Sequence, residues 1–346
     1  MPEPVPWVRE VVHQAPGAPG KGFTAFVNRD SQVLCTITDY GGGPLRITHA
    51  PAGAEVVRAY IRECRTTHGQ APTEAEWCEA LVYEYDCEEH IECLAGNEHA
   101  VRWYDADGDR HLDSVIAPAT ASDYRIMRAA RTDLSDGVRR AEVWLCHSWV
   151  SVYDADQPPP NVDGGVVLPH TGLNLPTDQV SLADVQRVEL RHTTAAKADV
   201  YLGQTLVGTA EQNPCNECEH GDDAGTVLYR APGFALKDEW DQVIALSRDR
   251  YDIPVNENAL AWLLLEEHAY EAAIARCDAN PGMWLHRLHD SGGRRRRYVH
   301  TDTGLADAEA ALERAPHLRR PVQAVRAELW TGPNRGWVTY YDATRD

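Results

Sequence analysis

Apolar positions recur along the chain in two rhythms. From Phe23 to Asn28 and from Val33 to Asp39, β-branched and aromatic residues flank Arg29-Asp30-Ser31-Gln32, a polar stretch suited to a turn, so a β-hairpin is predicted. The period then changes. Trp77, Leu81, Val82 and Tyr85 recur at helical spacing after Pro72-Thr73, and Glu76, three residues past the threonine, completes a capping-box sequence. A helix running to Cys93 is expected. Val101 to Tyr104, then Asp105-Ala106-Asp107-Gly108-Asp109, then Arg110 onward reads as a second hairpin, and Arg140 to Cys146 with Trp149 to Tyr153 as a third. A candidate helix lies between these last two hairpins.

The same succession returns about 180 residues later. The helical stretch from Thr73 parallels one from Asn256 at a single offset. It aligns Glu74 with Glu257, Leu81 with Leu264, Glu84 with Glu267, Glu88 with Glu271 and Ile91 with Ile274. Near the ends, Arg140-Ala-Glu-Val-Trp144 parallels Arg326-Ala-Glu-Leu-Trp330, and Trp149-Val-Ser-Val-Tyr-Asp-Ala parallels Trp337-Val-Thr-Tyr-Tyr-Asp-Ala. The expected fold class is therefore α+β: two tandem, pseudo-symmetric copies of one unit made of antiparallel hairpins and a helix pair. The expected division is a first repeat over 1–156, a Pro/Gly-containing linker over 157–179 and a second repeat over 180–346. The linker is read from three prolines and two glycines between Gln157 and Gly165, which favour extended, semi-rigid geometry.

Composition fits two compact units. The 346 residues are 43% hydrophobic and 25% charged, the mean hydropathy is -0.46 and no apolar run is long enough to cross a bilayer. The N-terminal residues carry no basic segment followed by an apolar one, and nine cysteines cannot all pair within one chain, so a reduced, cytoplasmic protein is expected. Thirty arginines stand against three lysines in a chain rich in Ala, Gly and Pro, which reads as the coding bias of a high-GC bacterium or its phages. A net charge of -20 opposes non-specific binding to duplex nucleic acid.

Five constellations bear on the chemistry. Cys215 and Cys218, spaced as in a tight turn, together with His220, supply three candidate zinc ligands, although the only nearby candidates for a fourth are Asp222 and Asp223. The cofactor expectation is thus none or zinc, the alternative to zinc being a surface loop that carries reduced thiols. The Asp105 to Asp109 segment has its glycine at the fourth position rather than the sixth and is read as a hairpin turn, not a calcium loop. His286 and His289 fall on opposite faces of a strand and are not read as a ligand pair, and Cys87 with His90 is read as a buried thiol beside a polar-edge histidine. Arg65 with Arg248, Glu84 with Glu267, Arg140 with Arg326 and Glu142 with Glu328 are shared by the copies and are read as intradomain ion pairs.

Charge separates the copies. From Glu74 to His99 there are nine acidic residues and no Lys or Arg, giving an acidic face of Glu84, Glu88, Glu89 and Glu92. The second copy gathers Arg294, Arg295, Arg296, Arg297, Arg319 and Arg320 into a candidate basic patch. No nucleophile elbow, catalytic Cys-His signature or phosphate-binding glycine loop is present in the sequence, and no catalytic residue is assigned. The expected function is that of a non-enzymatic binding or adaptor protein with a protein or nucleic-acid partner and no membrane. The alternative is a metal-dependent or nucleic-acid-processing enzyme using the Cys215, Cys218 and His220 loop.

Overall fold

The structure is a computed structural model, and it describes residues 6–13, 22–29, 32–40, 44–64, 70–117, 121–135, 137–145, 147–157, 165–189, 194–213, 225–290, 295–301, 307–315 and 324–343. Among these it is a mixed α+β protein with six helices and five antiparallel sheets. The chain divides into two compact units, Met1–Ala95 and Gly96–Asp346.

The first unit is a four-stranded meander, β1 (Trp7–His13), β2 (Phe23–Arg29), β3 (Gln32–Asp39) and β4 (Arg46–His49), followed by α1 (Gly53–Glu63) and α2 (Glu74–Cys93). The predicted pairing of β2 with β3 is present, with Ala25 opposite Ile37 and Val27 opposite Cys35. These inward residues close a core with Val57, Trp77, Cys78 and Val82. At the start of α2 the Thr73 hydroxyl accepts from the Glu76 amide at 3.2 Å and the Glu76 carboxylate accepts from the Thr73 amide at 2.7 Å, the capping box expected from sequence.

The second unit opens with β5 (Glu98–Tyr104) and β6 (Arg110–Ile116), then α3 (Asp123–Thr132), β7 (Arg140–Leu145) and β8 (Ser148–Asp154), in the sheet order β6-β5-β7-β8. The Asp105 carboxylate accepts from the amides of Asp107 and Asp109 at 3.0 and 2.9 Å, and Gly108 takes a φ of 85°, so the segment turns the hairpin as predicted. A short hairpin follows, β9 (Val166–Val167) and β10 (Asn174–Leu175). Then come a meander of β11 (Val180–Glu189), β12 (Thr194–Leu202), β13 (Thr205–Gln212) and β14 (Thr226–Arg230), and the helices α4 (Lys237–Leu246) and α5 (Glu257–Ala279). The chain ends with β15 (Met283–Asp290), β16 (Arg295–Thr301), α6 (Ala308–Arg314), β17 (Ala324–Trp330) and β18 (Trp337–Asp342), in the order β16-β15-β17-β18.

The main core of this unit is continuous from the β5 to β8 sheet and α3, through Val143 and Tyr124, to α4, α5 and the β11 to β14 sheet, through Trp240, Leu260 and Val200. The later part of the stretch expected as a linker also enters this core. His170, Thr171, Leu173 and Leu175 are all buried, so residues 166–175 contribute packing as well as connection.

Candidate functional site

Both sheets of mixed order bury a carboxylate between two arginines. In the first, Glu142 on β7 accepts from Arg102 Nε at 2.5 Å and from Arg140 Nη2 at 2.6 Å. The second repeats the geometry: Glu328 on β17 accepts from Arg287 Nε at 2.5 Å and from Arg326 Nη2 at 2.8 Å. Cross-strand register explains the match, since Arg102 pairs with Glu142 and Arg287 with Glu328. The guanidinium of Arg102 lies 4.4 Å from the Trp149 ring, and that of Arg287 lies 4.3 Å from Trp337. The shared Arg and Glu residues of these sheets are thus ion-paired in both, as the sequence suggests. Each carboxylate offsets part of the positive charge of its two arginines and ties the neighbouring strands together.

The second triad is extended by a histidine. His289 Nε2 lies 2.7 Å from Glu328, while its Nδ1 faces Arg250 Nη2 at 3.3 Å. A guanidinium can only donate, so Nδ1 accepts and the ring carries its proton on Nε2. Burial raises the Glu328 carboxyl, but hydrogen bonds from His289 and Arg287, with the charge of Arg287, outweigh it and hold the group far below the usual carboxylate range. Arg287 also donates from Nη1 to the His170 carbonyl at 2.8 Å. The His170 ring accepts at Nδ1 from Trp337 Nε1 at 3.2 Å and sits among Tyr270, Trp330 and Trp337.

Glu267 on α5 fixes this turn. Its carboxylate accepts from the amides of His170 and Thr171, at 3.0 and 2.7 Å, and from the Thr171 hydroxyl at 2.8 Å. The aligned Glu84 on α2 is exposed, whereas Glu267 is buried. Next to the turn, Gly172 has a φ of 73°, and a Cβ there would lie 2.7 Å from the Cβ of Arg250, so only glycine lets the two backbones approach.

A small pocket adjoins the cluster, lined by Tyr124, Arg128, Asp249, Arg250, Trp262 and Tyr270 among others. Asp249 organises one wall: it accepts from the Tyr124 hydroxyl at 2.9 Å and from the amides of Tyr251 and Ile253 at 2.8 and 3.1 Å, and lies 3.9 Å from Arg128 Nε. Arg250 hydrogen-bonds the Tyr251 hydroxyl and stacks on that ring at 4.4 Å. Burial and the neighbouring charge of Arg128 lower its pKa, with Tyr251 opposing them.

The residues singled out from sequence are distributed differently. Glu84, Glu88, Glu89 and Glu92 are exposed along α2. Arg295, Arg296 and Arg297 begin the edge strand β16, and Arg294, Arg319 and Arg320 lie outside the described residues. Cys215, Cys218 and His220 also lie outside them, as does Arg65. Among the described residues no three His, Cys, Asp or Glu side chains are grouped to hold a metal ion, and no helix is long and apolar enough to cross a membrane. His286 and His289 are both buried but face different partners, Tyr340 for the former and Glu328 for the latter. Comparison with known protein families, with curated proteins and with solved structures gives no match.

Sequence reasoning did not find His170, Tyr124, Asp249, Arg250 or Trp262. The signal present was Val166-Val167-Leu168 followed by Leu173 and Leu175, apolar positions too dense for a solvated linker.

Proposed function

We propose that the chain is a tandem duplication of one α+β unit, with repeats over 1–156 and 180–346, and that it works as a non-enzymatic binding or adaptor protein. Support for duplication comes from element order. Each half runs through a four-stranded meander, two helices, a hairpin, a helix and a final hairpin. The sheet orders β1-β2-β3-β4 and β11-β12-β13-β14 correspond, as do β6-β5-β7-β8 and β16-β15-β17-β18. Register breaks also correspond, between Ala141 and Glu142 in one half and between Ala327 and Glu328 in the other.

The single observation that carries the binding role is the exposed acidic side of α2, with Glu84, Glu88, Glu89 and Glu92 in a stretch free of Lys and Arg. Such a face selects a basic protein surface by long-range attraction and repels nucleic acid. The test is retention of a Lys-rich peptide by the immobilised protein across a salt series. Binding should weaken as salt rises, and Glu84→Gln with Glu88→Gln and Glu89→Gln should remove most of it. Retention of nucleic acid instead, weakened by Ala at Arg294 to Arg297, would replace this reading with a nucleic-acid role for the second copy. The enzyme alternative rests on zinc at Cys215, Cys218 and His220, and stoichiometric zinc in the purified protein would favour it.

A further inference from the structure

The core of the first unit holds two cysteines from distant parts of the chain. Cys35 on β3 and Cys78 on α2 belong to one buried cluster, and both are fully excluded from solvent. Three relations bring them together. Cys35 is the cross-strand partner of His49 on β4, so the two side chains leave the same face of the sheet. His49 Nε2 lies 2.8 Å from a carboxylate oxygen of Glu74, the first residue of α2. Glu74 and Cys78 are four residues apart on that helix and share one side of it. The circuit from β3 through β4 to α2 thus returns to the second sulfur, and the Cys78 thiol donates a hydrogen bond to Cys35.

Two thiols in contact can exchange that hydrogen bond for a covalent one. The bond from Cys78 lowers the Cys35 thiol from its ordinary value, against burial and the charge of Glu74, and the same bond, with burial, raises the thiol of Cys78. One sulfur of the pair therefore ionises first, and the other keeps its proton. Solvent comes within one residue of them: the side chains of His49 and Glu74 are 25% and 37% exposed, so the row of groups that begins at the sulfurs ends at the surface.

We propose that Cys35 and Cys78 form a peroxide-sensitive redox pair whose disulfide ties β3 to α2. Hydrogen peroxide is the oxidant because it is small and uncharged and needs little displacement of the His49 and Glu74 side chains to reach Cys35. In the first step the Cys35 thiolate attacks one oxygen of the peroxide. The O–O bond breaks, hydroxide leaves and takes up the proton given by the thiol, and the sulfur becomes a sulfenic acid. The Cys78 sulfur then attacks the Cys35 sulfur, an S–S bond replaces the S–O bond, and the oxygen leaves as water with the Cys78 proton. Two thiols have lost two electrons, and one peroxide has become two waters. A thiol reductant restores the starting pair by exchange. The pair involves none of Glu84, Glu88, Glu89 or Glu92, so this inference and the binding role of α2 stand or fall separately.

The experiment exposes the reduced full-length protein to stoichiometric hydrogen peroxide, blocks the remaining thiols after denaturation, and maps the peptides by mass spectrometry without reduction. The expected product joins the Cys35 and Cys78 peptides, is lighter than their sum by two hydrogens, and disappears after dithiothreitol. In Cys78→Ser the sulfenic acid at Cys35 meets no second thiol and should be captured there by dimedone. Where serine disturbs the core, Cys78→Ala takes its place, alanine being the residue at the aligned position 261, and the wild-type map decides the question without either variant. Cys35 and Cys78 both remaining open to alkylation, under conditions that oxidise the exposed Cys93, would make them packing residues alone and overturn the proposal. A disulfide from either one to a different cysteine, or sulfinic acid at Cys35 in place of the link, would overturn it as well.

Discussion

His286 is a titratable side chain at the centre of a sheet, about 1% exposed, with the Tyr340 hydroxyl 3.2 Å from Nδ1 and the His300 ring beside it. Burial, and then the nearby His300, lower its pKa from an ordinary 6.5 to about 4. The folded protein therefore holds a neutral imidazole where the unfolded chain accepts a proton. Since the unfolded state binds more protons between these two values, this contribution is complete above pH ~6.5 and is lost as pH falls toward ~4, by up to about 3 kcal/mol. Urea unfolding at pH 7, 6 and 5 should show the wild type losing stability faster than His286→Phe on acidification. Identical slopes would mean that His286 is not kept neutral by the fold. Glu328 has the opposite demand, staying ionised through His289 and Arg287, so two neighbouring strands hold one group neutral and another charged.

At the scale of elements, α1 is placed by one glycine. A Cβ on Gly53 would lie 2.0 Å from the Leu34 carbonyl oxygen, in backbone that also accepts from the Ala50 amide at 2.9 Å. Gly53→Ala must push α1 off β3, at a cost of about 1–3 kcal/mol or more, whereas Gly96→Ala, with open space around the new methyl, should change little. Thermal unfolding of the two variants measures the difference, and equal melting temperatures would show that α1 shifts without cost. Elements of this kind divide by how local their causes are. The capping box of α2, the β2–β3 hairpin and the Asp105 turn depend on residues within a few positions of each other, and the sequence declares them. Gly53 gives no such sign, because its constraint is a carbonyl on another strand. Residues 166–175 mislead for the same reason: prolines and glycines just before them suggest a spacer, but burial against α5 is decided by Glu267, far along the chain. The pocket is equally illegible, since Tyr124, Asp249 and Trp262 meet only once α3 and α5 share a core.

The whole molecule poses a question of boundaries that element matching alone does not answer. Sequence periodicity divides the chain near residue 157, while compactness divides it between Ala95 and Gly96. The difference has a physical origin in the core of the second unit. Val101, Tyr124 and Val143 belong to the same buried cluster as Trp240, Leu260 and Val200, and the Tyr124 hydroxyl donates to the buried Asp249. A cut at 156/157 would expose both sides of that cluster and strand the Asp249 carboxylate without its phenol partner, losses that act together because they share one interface. The fragment Gly96–Asp346 is therefore expected to unfold in one cooperative transition, with dispersed amide resonances. Residues 180–346 alone should lack such a transition or aggregate, although they span the whole of the proposed second repeat. A separately folded 180–346 with a sharp thermal transition would show that the repeat is the unit of stability and that the core shared with α3 is an accessory contact. The expected result instead makes the shared core the unit of folding, since hydrophobic burial responds to which surfaces meet and not to where a proposed repeat begins.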